Sequence, residues 1–481
     1  MNLADRLRAV VRPGDPAGLA RPSEVPGLSG VADATAIQAR ADGAADVLGG
    51  EWRTARGASG ASGASGLSAP AGSSASADSS GRLATRPRHV VIDRHYPAGH
   101  RFGRTALADC LPNDDGLWPR AGLLLSGDGA RDALRGRLLF FDLETTGLGG
   151  GAGVYAFLVG CGWFDGATFR TRQYFLSNYA AERGLLQDVA DTMAAFGALV
   201  TYNGKSFDLP LIDTRFLFHR VSGSHGSLAH LDLLHTARRL WRPPVPVSSS
   251  AGAGERPAAV PCRLTHVEET VLGHVRQGDV PGAEIPSRYF HYVRTGDVRQ
   301  LEAVLEHNRL DLLALAMLTA TAANLLEQGA GGARTAREAL GLGRLFDRAG
   351  MGAEARACYA RAAGVVPAGA RFADADALTC AEALRALAVL CRRERRHPEA
   401  AEAWRGVLGL RHCPPRIAQQ ASEALAVHHE HRLGDLSAAR HFAMHAIRFP
   451  GSHSRVRAAR HRLARLDRKL GVVSVPPAPL F

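Results

Sequence analysis

Two acids one residue apart, Asp142 and Glu144, end the apolar run LLFFDLE. A short apolar run of this kind reads as a strand, and side chains two positions apart on a strand project from one face. Two adjacent carboxylates in an apolar setting repel each other and lose hydration; a divalent cation relieves both penalties with opposite charge and an oxygen-coordinating shell. The pair alone does not define a site. A third carboxylate, Asp208, follows in TYNGKSFDLP, where Asn203 and Gly204 suit a turn and Ser206 suits the cap of a helix carrying Asp208 in its first turn. In EHNRLDLLAL, His307 and Asp311 are four residues apart and share one helix face. Asp142, Glu144, Asp208 and Asp311, with one imidazole beside them, predict metal-assisted chemistry.

The elements that must position these residues can be read from periodicity. YAFLVGCGWF and FRTRQYFL read as neighbouring strands joined by a turn at Asp165 and Gly166, giving three consecutive strands with LLFFDLE. From Ala180 to Phe196, the apolar residues Leu185, Leu186, Val189, Met193 and Phe196 recur at helical spacing, and ALVTYN follows as a short buried strand. A helix followed by a strand is the connection a parallel pairing needs. Leu209 to Arg220 reads as a further helix, and Arg299 to Gln328 as a long one with Leu301, Val304, Leu305, Leu312, Leu315 and Leu318 on its apolar face.

Composition divides the chain further. Residues 1–85 are rich in Gly, Ala, Ser and Pro, and the run ASGASGASGLSAPAGSSASADSSG predicts a disordered low-complexity arm. Structure is expected from residue 86 to 330, with a flexible insertion at 243–261 where Pro, Ser, Gly and Ala dominate. Residues 333–470 change to helical pairs that resemble tetratricopeptide repeats. Leu342, Gly343, Phe346, Ala355, Tyr359, Ala362 and Pro367 match the first repeat; Leu387, Ala388, Ala400 and Trp404 the second; Leu425, Ala426, Ala438 and Phe442 the third. Their spacing is longer than the usual 34 residues.

At 481 residues the chain exceeds what one hydrophobic core organises, so two or more domains are expected. A formal charge of +12 favours polyanionic partners, nucleic acid first among them, although a GC-rich coding sequence would produce the same excess of Arg, Ala and Gly. Seven scattered cysteines show neither a Cys-x-x-Cys pair nor zinc-ligand spacing, which predicts a reducing compartment and no structural zinc. MNLADRLRAVV lacks the apolar core of a secretory signal, and no later stretch reads as a bilayer span, so the expectation is a cytoplasmic protein without membrane contact.

FFDLETTGL, TYNGKSFDLP and HNRLD, in this order, resemble the three signature segments of the DEDD exonucleases of the ribonuclease-H-like superfamily. The longer phrases DLETTGLGGGAGVYAFLVG, VTYNGKSFDLP, HLDLLHTARRLWR and LTHVEETVLG resemble the bacterial YprB-type family over about Val90 to Leu326, and tetratricopeptide-like tails recur in that family. The resemblance implies an α/β fold, a ribonuclease-H-like mixed sheet flanked by helices, followed by the all-α repeat module. It also implies that Asp142, Glu144, Asp208 and Asp311 bind two divalent metal ions, Mg²⁺ or Mn²⁺, for phosphodiester hydrolysis. His307 would orient or deprotonate the attacking water. The third segment departs from the common patterns, which use His with four intervening residues or Tyr with three, where this chain has His with three.

By the same resemblance the activity is a 3′-5′ exonuclease on DNA or RNA, with single-stranded ends as substrate. The alternatives are a structure-specific endonuclease sharing the site, or a non-catalytic nucleic-acid-binding scaffold that recruits a protein partner through its helical repeats. Asn203 and Lys205 are candidate contacts to the terminal sugar or phosphate, and Gly149, Gly150, Gly151 and Gly153 form either a close-approach loop or a simple turn. Arg215, Arg238, Arg239 and Arg242 are candidates for attracting the polyanion. Gly204, Lys205 and Ser206 mimic the end of a phosphate-binding loop, but Leu199 stands where that loop needs Gly. His230 and Asp232 read as support for the site rather than ligands, and His428, His429 and His431 as a solvated repeat surface without metal. The Arg-rich stretch SRVRAARHRLARLDRKL fits either a phosphate-gripping helix or a solvated capping helix.

Overall fold

The computed structural model describes residues 48–54, 88–111, 120–125, 137–147, 153–223, 226, 228–242, 262–364, 376–449 and 453–472. Alternation in LLFFDLET produces the strand that organises the site, β5 (Leu138–Thr145). Its odd residues Leu139, Phe141 and Leu143 enter one buried cluster and its even residues Leu138 and Phe140 another, so β5 is covered on both faces. Asp142 and Glu144 continue the row of Phe140 toward the end of the strand.

Among the described residues, β5 lies in a seven-stranded mixed sheet in the order β1-β2-β7-β6-β5-β8-β9. Its members are β1 (Glu51–Thr54), β2 (Arg88–Tyr96), β6 (Ala156–Asp165), β7 (Thr168–Phe175), β8 (Ala198–Thr201) and β9 (Ala229–Asp232). A separate small hairpin pairs β3 (Arg101–Phe102) with β4 (Thr105–Ala106). The expected meander is present: β5 pairs antiparallel with β6, and β6 with β7 through a turn in which Gly166 takes φ +58°. Helix α1 (Glu182–Met193), with Leu185, Leu186, Val189 and Met193 buried, then returns the chain so that β8 pairs parallel to β5 and β9 parallel to β8.

Beyond the sheet come α2 (Asp208–His219), α3 (Leu233–Leu240), α4 (Leu264–Val267) running into a π turn at Glu268–Leu272, α5 (Ile285–Thr295) and α6 (Arg299–Gln328). The last is the long helix read from its apolar periodicity. Its length and composition alone would let it cross a membrane, contrary to the expectation that no stretch would qualify. Burial gives the reason: Leu312, Leu313, Leu315 and Leu318 are enclosed in the core beside Phe140 and Val200. A helix that is apolar all round is what a two-sided core demands.

The expectation of a disordered arm through residue 85 fails at residues 48–54, where β1 extends the sheet by pairing antiparallel with β2 and Leu48 is buried. Glu51–Thr54 lacks the apolar run that marks the other strands, which is why composition hid it. The rest of that arm, the insertion at 243–261, the glycines at 149–151 and Pro367 lie outside the described residues.

Among the described residues seven helices follow: α7 (Ala336–Arg348), α8 (Gly352–Ala363), α9 (Ala377–Arg393), α10 (His397–Leu408), α11 (Pro415–His428), α12 (Leu436–Ile447) and α13 (His453–Leu470). They stack as pairs in which a small residue admits a large one; a Cβ on Gly343 would run into the ring of Tyr359. Pair starts at 336, 377 and 415 bear out a spacing wider than 34 residues. No break in packing marks residues 330–333, since Leu340, Leu342, Leu345 and Phe346 share one core with Leu240 and Leu326. Trp241 Nε1 donates to Glu338 Oε1 at 3.1 Å across this junction.

Candidate active site

β5, α2 and α6 bring the predicted carboxylates together. Asp142 pairs in register with Gly160 and Glu144 with Leu158, so both acids face the helix layer near the strand end. There α6 crosses, presenting His307, Asn308 and Asp311. His307 Nε2 is 4.0 Å from Glu144 Oε1 and 3.7 Å from Asp311 Oδ2. Four residues along one helix do place His307 and Asp311 side by side.

Asp208 arrives through a strained corner. Asn203 takes φ +64°, and its N–H donates to Asp232 Oδ1 at 2.8 Å, while the Lys205 N–H donates to Asp232 Oδ2 at 3.2 Å. Asp232 also caps α3 by accepting from the Leu234 N–H at 3.0 Å, so one buried carboxylate holds the corner from behind. Here Gly204 is obligatory: a Cβ would overlap Thr201 Oγ1 and come within 2.9 Å of Asp208 Oδ2. His230 lies 2.9 Å from Thr201 Oγ1 and supports the same strand end. The expected helix cap at Ser206 is not formed; Phe207 occupies the cap position without a side-chain bond, and Ser206 closes the turn through its N–H to the Asn203 carbonyl.

The carboxylates press on one another. Burial, followed by the charges of Asp311, Glu144 and Asp208, pushes Asp142 well above the ordinary carboxylate range, opposed by Asn308. Burial and then Asp311, Asp208 and Asp279 push Glu144 up likewise, and Arg276 works against this. Asp208 is raised to about 7, first by burial and then by Asp232 and Asp311, with backbone hydrogen bonds opposing. Such a site is short of positive charge.

Arg276, which lies outside the signature segments, brings positive charge to the carboxylates. Arg276, nearly buried, donates to both Glu268 and Asp311, and its Nη1 lies 3.3 Å from Asp279 Oδ2. Asp279 Oδ1 in turn lies 2.6 Å from His307 Nδ1. The four-residue segment from Arg276 to Asp279 thus holds both signature residues of α6. Asn308 is wholly buried; its Nδ2 donates to Asp142 Oδ2 at 2.8 Å, and its Oδ1 accepts from Gln173 Nε2 at 2.8 Å. Sequence reasoning missed Arg276, Asp279, Glu268 and Asn308. The charged pair flanking a glycine in RQGD was the available signal, but nothing local tied it to His307.

An all-oxygen donor set lacking counter-charge is what a hard divalent cation fits. Asp142, Glu144, Asp208 and Asp311 would hold such ions. Among the described residues, however, no three His, Cys, Asp or Glu side chains close into a metal cage. The Arg276 guanidinium on Asp311 Oδ1 supplies part of the neutralisation instead.

Of the other expected residues, Lys205 is exposed beside the corner and Asn203 is half-buried, contributing its backbone to Asp232. Arg215 is not available to a polyanion: it is 1% exposed, and its Nε donates to Glu182 Oε1 at 2.6 Å. Its charge is spent holding α2 to α1. Arg239 lies half-buried against the C-terminal helices, its carbonyl closely approached by Gly341, and Arg242 lines a cleft at the same junction.

Comparison with known proteins agrees with this architecture. The RNase_H superfamily matches residues 139–323, from β5 to α6. The uncharacterized protein YprB of Bacillus subtilis (strain 168) is 35% identical over 232 residues, covering 48% of this chain and 52% of the relative. The chain thus spans about half the length of the relative it matches. The mixed sheet, with acids on its interior strand β5 facing a long helix, agrees with this match, and residues 139–323 of this chain form a domain of the RNase_H superfamily.

Proposed function

We propose that the chain is a metal-dependent nuclease that hydrolyses phosphodiester bonds of DNA or RNA, trimming single-stranded ends in the 3′-to-5′ direction. The observation that carries this reading is the meeting of Asp142, Glu144, Asp208 and Asp311, from three separate elements, with Arg276 as the buried cation among them. Isolated carboxylates are rarely gathered at such electrostatic cost without a cationic ligand to relieve it. Two Mg²⁺ or Mn²⁺ ions held there would supply Lewis-acid charge at the scissile phosphate and ease deprotonation of a water.

The chain's own residues would do the remaining work. A carboxylate only accepts, so Asp279 fixes the His307 proton on Nδ1, and in the neutral ring Nε2 keeps its lone pair toward Glu144 and Asp311. That nitrogen is placed to take a proton from a nucleophile between them. Arg276 fixes the orientation of Asp311, and Asn308 that of Asp142. Lys205, exposed at the corner, would meet a substrate phosphate, with Asn203 beside it for the terminal sugar. Phe207, 59% exposed next to Asp208, offers a ring on which a nucleobase can stack.

The test uses the purified full chain on DNA and RNA strands labelled at either end, with and without Mn²⁺, beside Asp142→Asn. A ladder shortening from the 3′ end, dependent on metal and absent in the variant, is expected. Internal cuts on closed or blocked strands would favour the endonuclease reading. Binding of strands without metal-dependent cleavage of any of them would leave only the scaffold.

A further inference from the structure

Of the histidines of the third helical pair, His428 and His429 are half-buried and His431 is exposed. Helix α11 does not end at His428 but runs on through a π turn, His429–Leu433, and such turns re-aim the side chains they carry. His428, His431 and Arg432 here wall a cavity of about 270 Å³ between α9, α10 and α11. Its floor is apolar: Trp404, Ala400 and Ala401 from α10, with Ala424 and Val427 from α11. Arg392 and His397 complete the rim, so two guanidiniums and three imidazoles surround this floor and no acid lines it.

The acid beside the rim is engaged elsewhere. Glu430 lies 3.5 Å from His431 Nε2, but its carboxylate accepts from Arg462 at 2.7 Å, from Arg465 at 2.6 Å and from Lys469 at 3.2 Å. Arg392 and Arg432 form no ion pair among the described residues. His397 and Ala400 of the first turn of α10 face the cavity, whereas Glu399 of that turn does not line it and pairs with Arg396 at 2.6 Å. Burial, followed by the charges of His429, Arg405, His397 and Arg432, holds His428 below the ordinary imidazole range, as expected where cations crowd without an anion.

The geometry points to a docking site for an acidic peptide segment of a partner protein, whose carboxylates meet Arg392 and Arg432 while an aliphatic side chain enters over Trp404. A polynucleotide fits less well. Trp404 is only 7% exposed and offers no stacking face, and the small aliphatic floor suits a side chain rather than a phosphate track. This inference is independent of the nuclease reading, since none of its residues belongs to that site.

Fluorescence anisotropy on the full chain tests it. The probe is a short fluorescein-labelled peptide of alternating aspartate and leucine with a free carboxyl terminus. Controls are the same peptide with asparagine for aspartate and an amidated end, and a labelled oligothymidylate. Saturable binding of the acidic peptide is expected, weakened by about tenfold or more in the double variant Arg392→Ser and Arg432→Ser. Val427→Glu, at a 40% exposed position, should block the site with its own carboxylate while leaving the circular dichroism spectrum unchanged. No saturable binding of the acidic peptide, equal binding of the neutral one, or no loss in either variant would overturn the proposal. So would oligothymidylate binding that competes with the peptide and is lost in the same variants.

Discussion

The Asp279 carboxylate meets the His307 imidazole at 2.6 Å, and it does so on the nitrogen that faces away from Glu144 and Asp311. Burial pushes Asp279 up, but His307 and Arg276 outweigh this and hold it below the usual carboxylate range, so it stays ionised as the imidazole's partner. Removing a partner that orients a reactive histidine typically costs about 10–100-fold. Asp279→Ala should lower kcat by that amount with little change in KM, and should populate both ring tautomers of His307 in a ¹⁵N spectrum. Unchanged kcat and tautomer would remove Asp279 from the positioning role.

Arg276 and Glu268 form a buried pair whose halves cannot be removed singly without cost. Glu268 is 0% exposed, and burial already pushes it up against the pull of Arg276. Arg276→Met should destabilise the protein by about 3–5 kcal/mol, because an uncompensated carboxylate is left inside. Adding Glu268→Gln should recover part of that loss in denaturant titrations. If the double variant is no more stable than the single, the pair is not the source of the cost.

The crowded carboxylates make the metal-free protein sensitive to pH. Asp208, at about 7 in the fold, lies above its ordinary value of 3.8, so the folded state holds a proton that the unfolded state has released. Its stabilising contribution is present below the unfolded pKa and is lost as pH rises through the folded one. Thermal stability without metal should therefore decline from about pH 4 to about pH 7, and millimolar Mn²⁺ should offset the decline by binding only the folded state. Identical curves with and without Mn²⁺ would count against a metal at this position.

Neutralising one acid should separate stability from activity. Asn in place of Asp142 keeps an oxygen for the Asn308 Nδ2 donor and removes one repelling charge. Asp142→Asn is expected to abolish cleavage while raising the stability of the metal-free protein by about 1 kcal/mol. A variant that is both inactive and less stable would point to a structural role for the carboxylate.

Gly160 tests the support beneath Asp142. It faces Asp142 across the β5–β6 ladder, and a Cβ there would overlap the side-chain amide of Asn308. Gly160→Ala should push Asn308 away from both Gln173 and Asp142 and lower kcat without unfolding the sheet. Full activity in this variant would show that Asn308 does not orient the acid.

Much of this architecture was readable because local patterns report on local physics. The alternation around Asp142 and Glu144, the helical spacing after Ala180 and the long apolar face after Arg299 each describe one element, and each element formed where its pattern lay. Where a pattern was absent the reading failed: Glu51–Thr54 joins the sheet through backbone pairing with β2, which leaves little mark on composition. Arg215 was misjudged for the related reason that an arginine looks the same in sequence whether it faces solvent or, as here, a buried Glu182.

By itself the sequence determined which acids are candidates for the site and which elements carry them: a strand places Asp142 and Glu144 on one face, a turn delivers Asp208, and one helix turn separates His307 from Asp311. Only the tertiary structure decided which partners set their orientation and charge. Arg276, Asp279, Asn308 and Asp232 act on these residues across distances along the chain that no periodicity spans. Hydrogen bonds and ion pairs depend on separation in space, and separation in space is set by how the core packs.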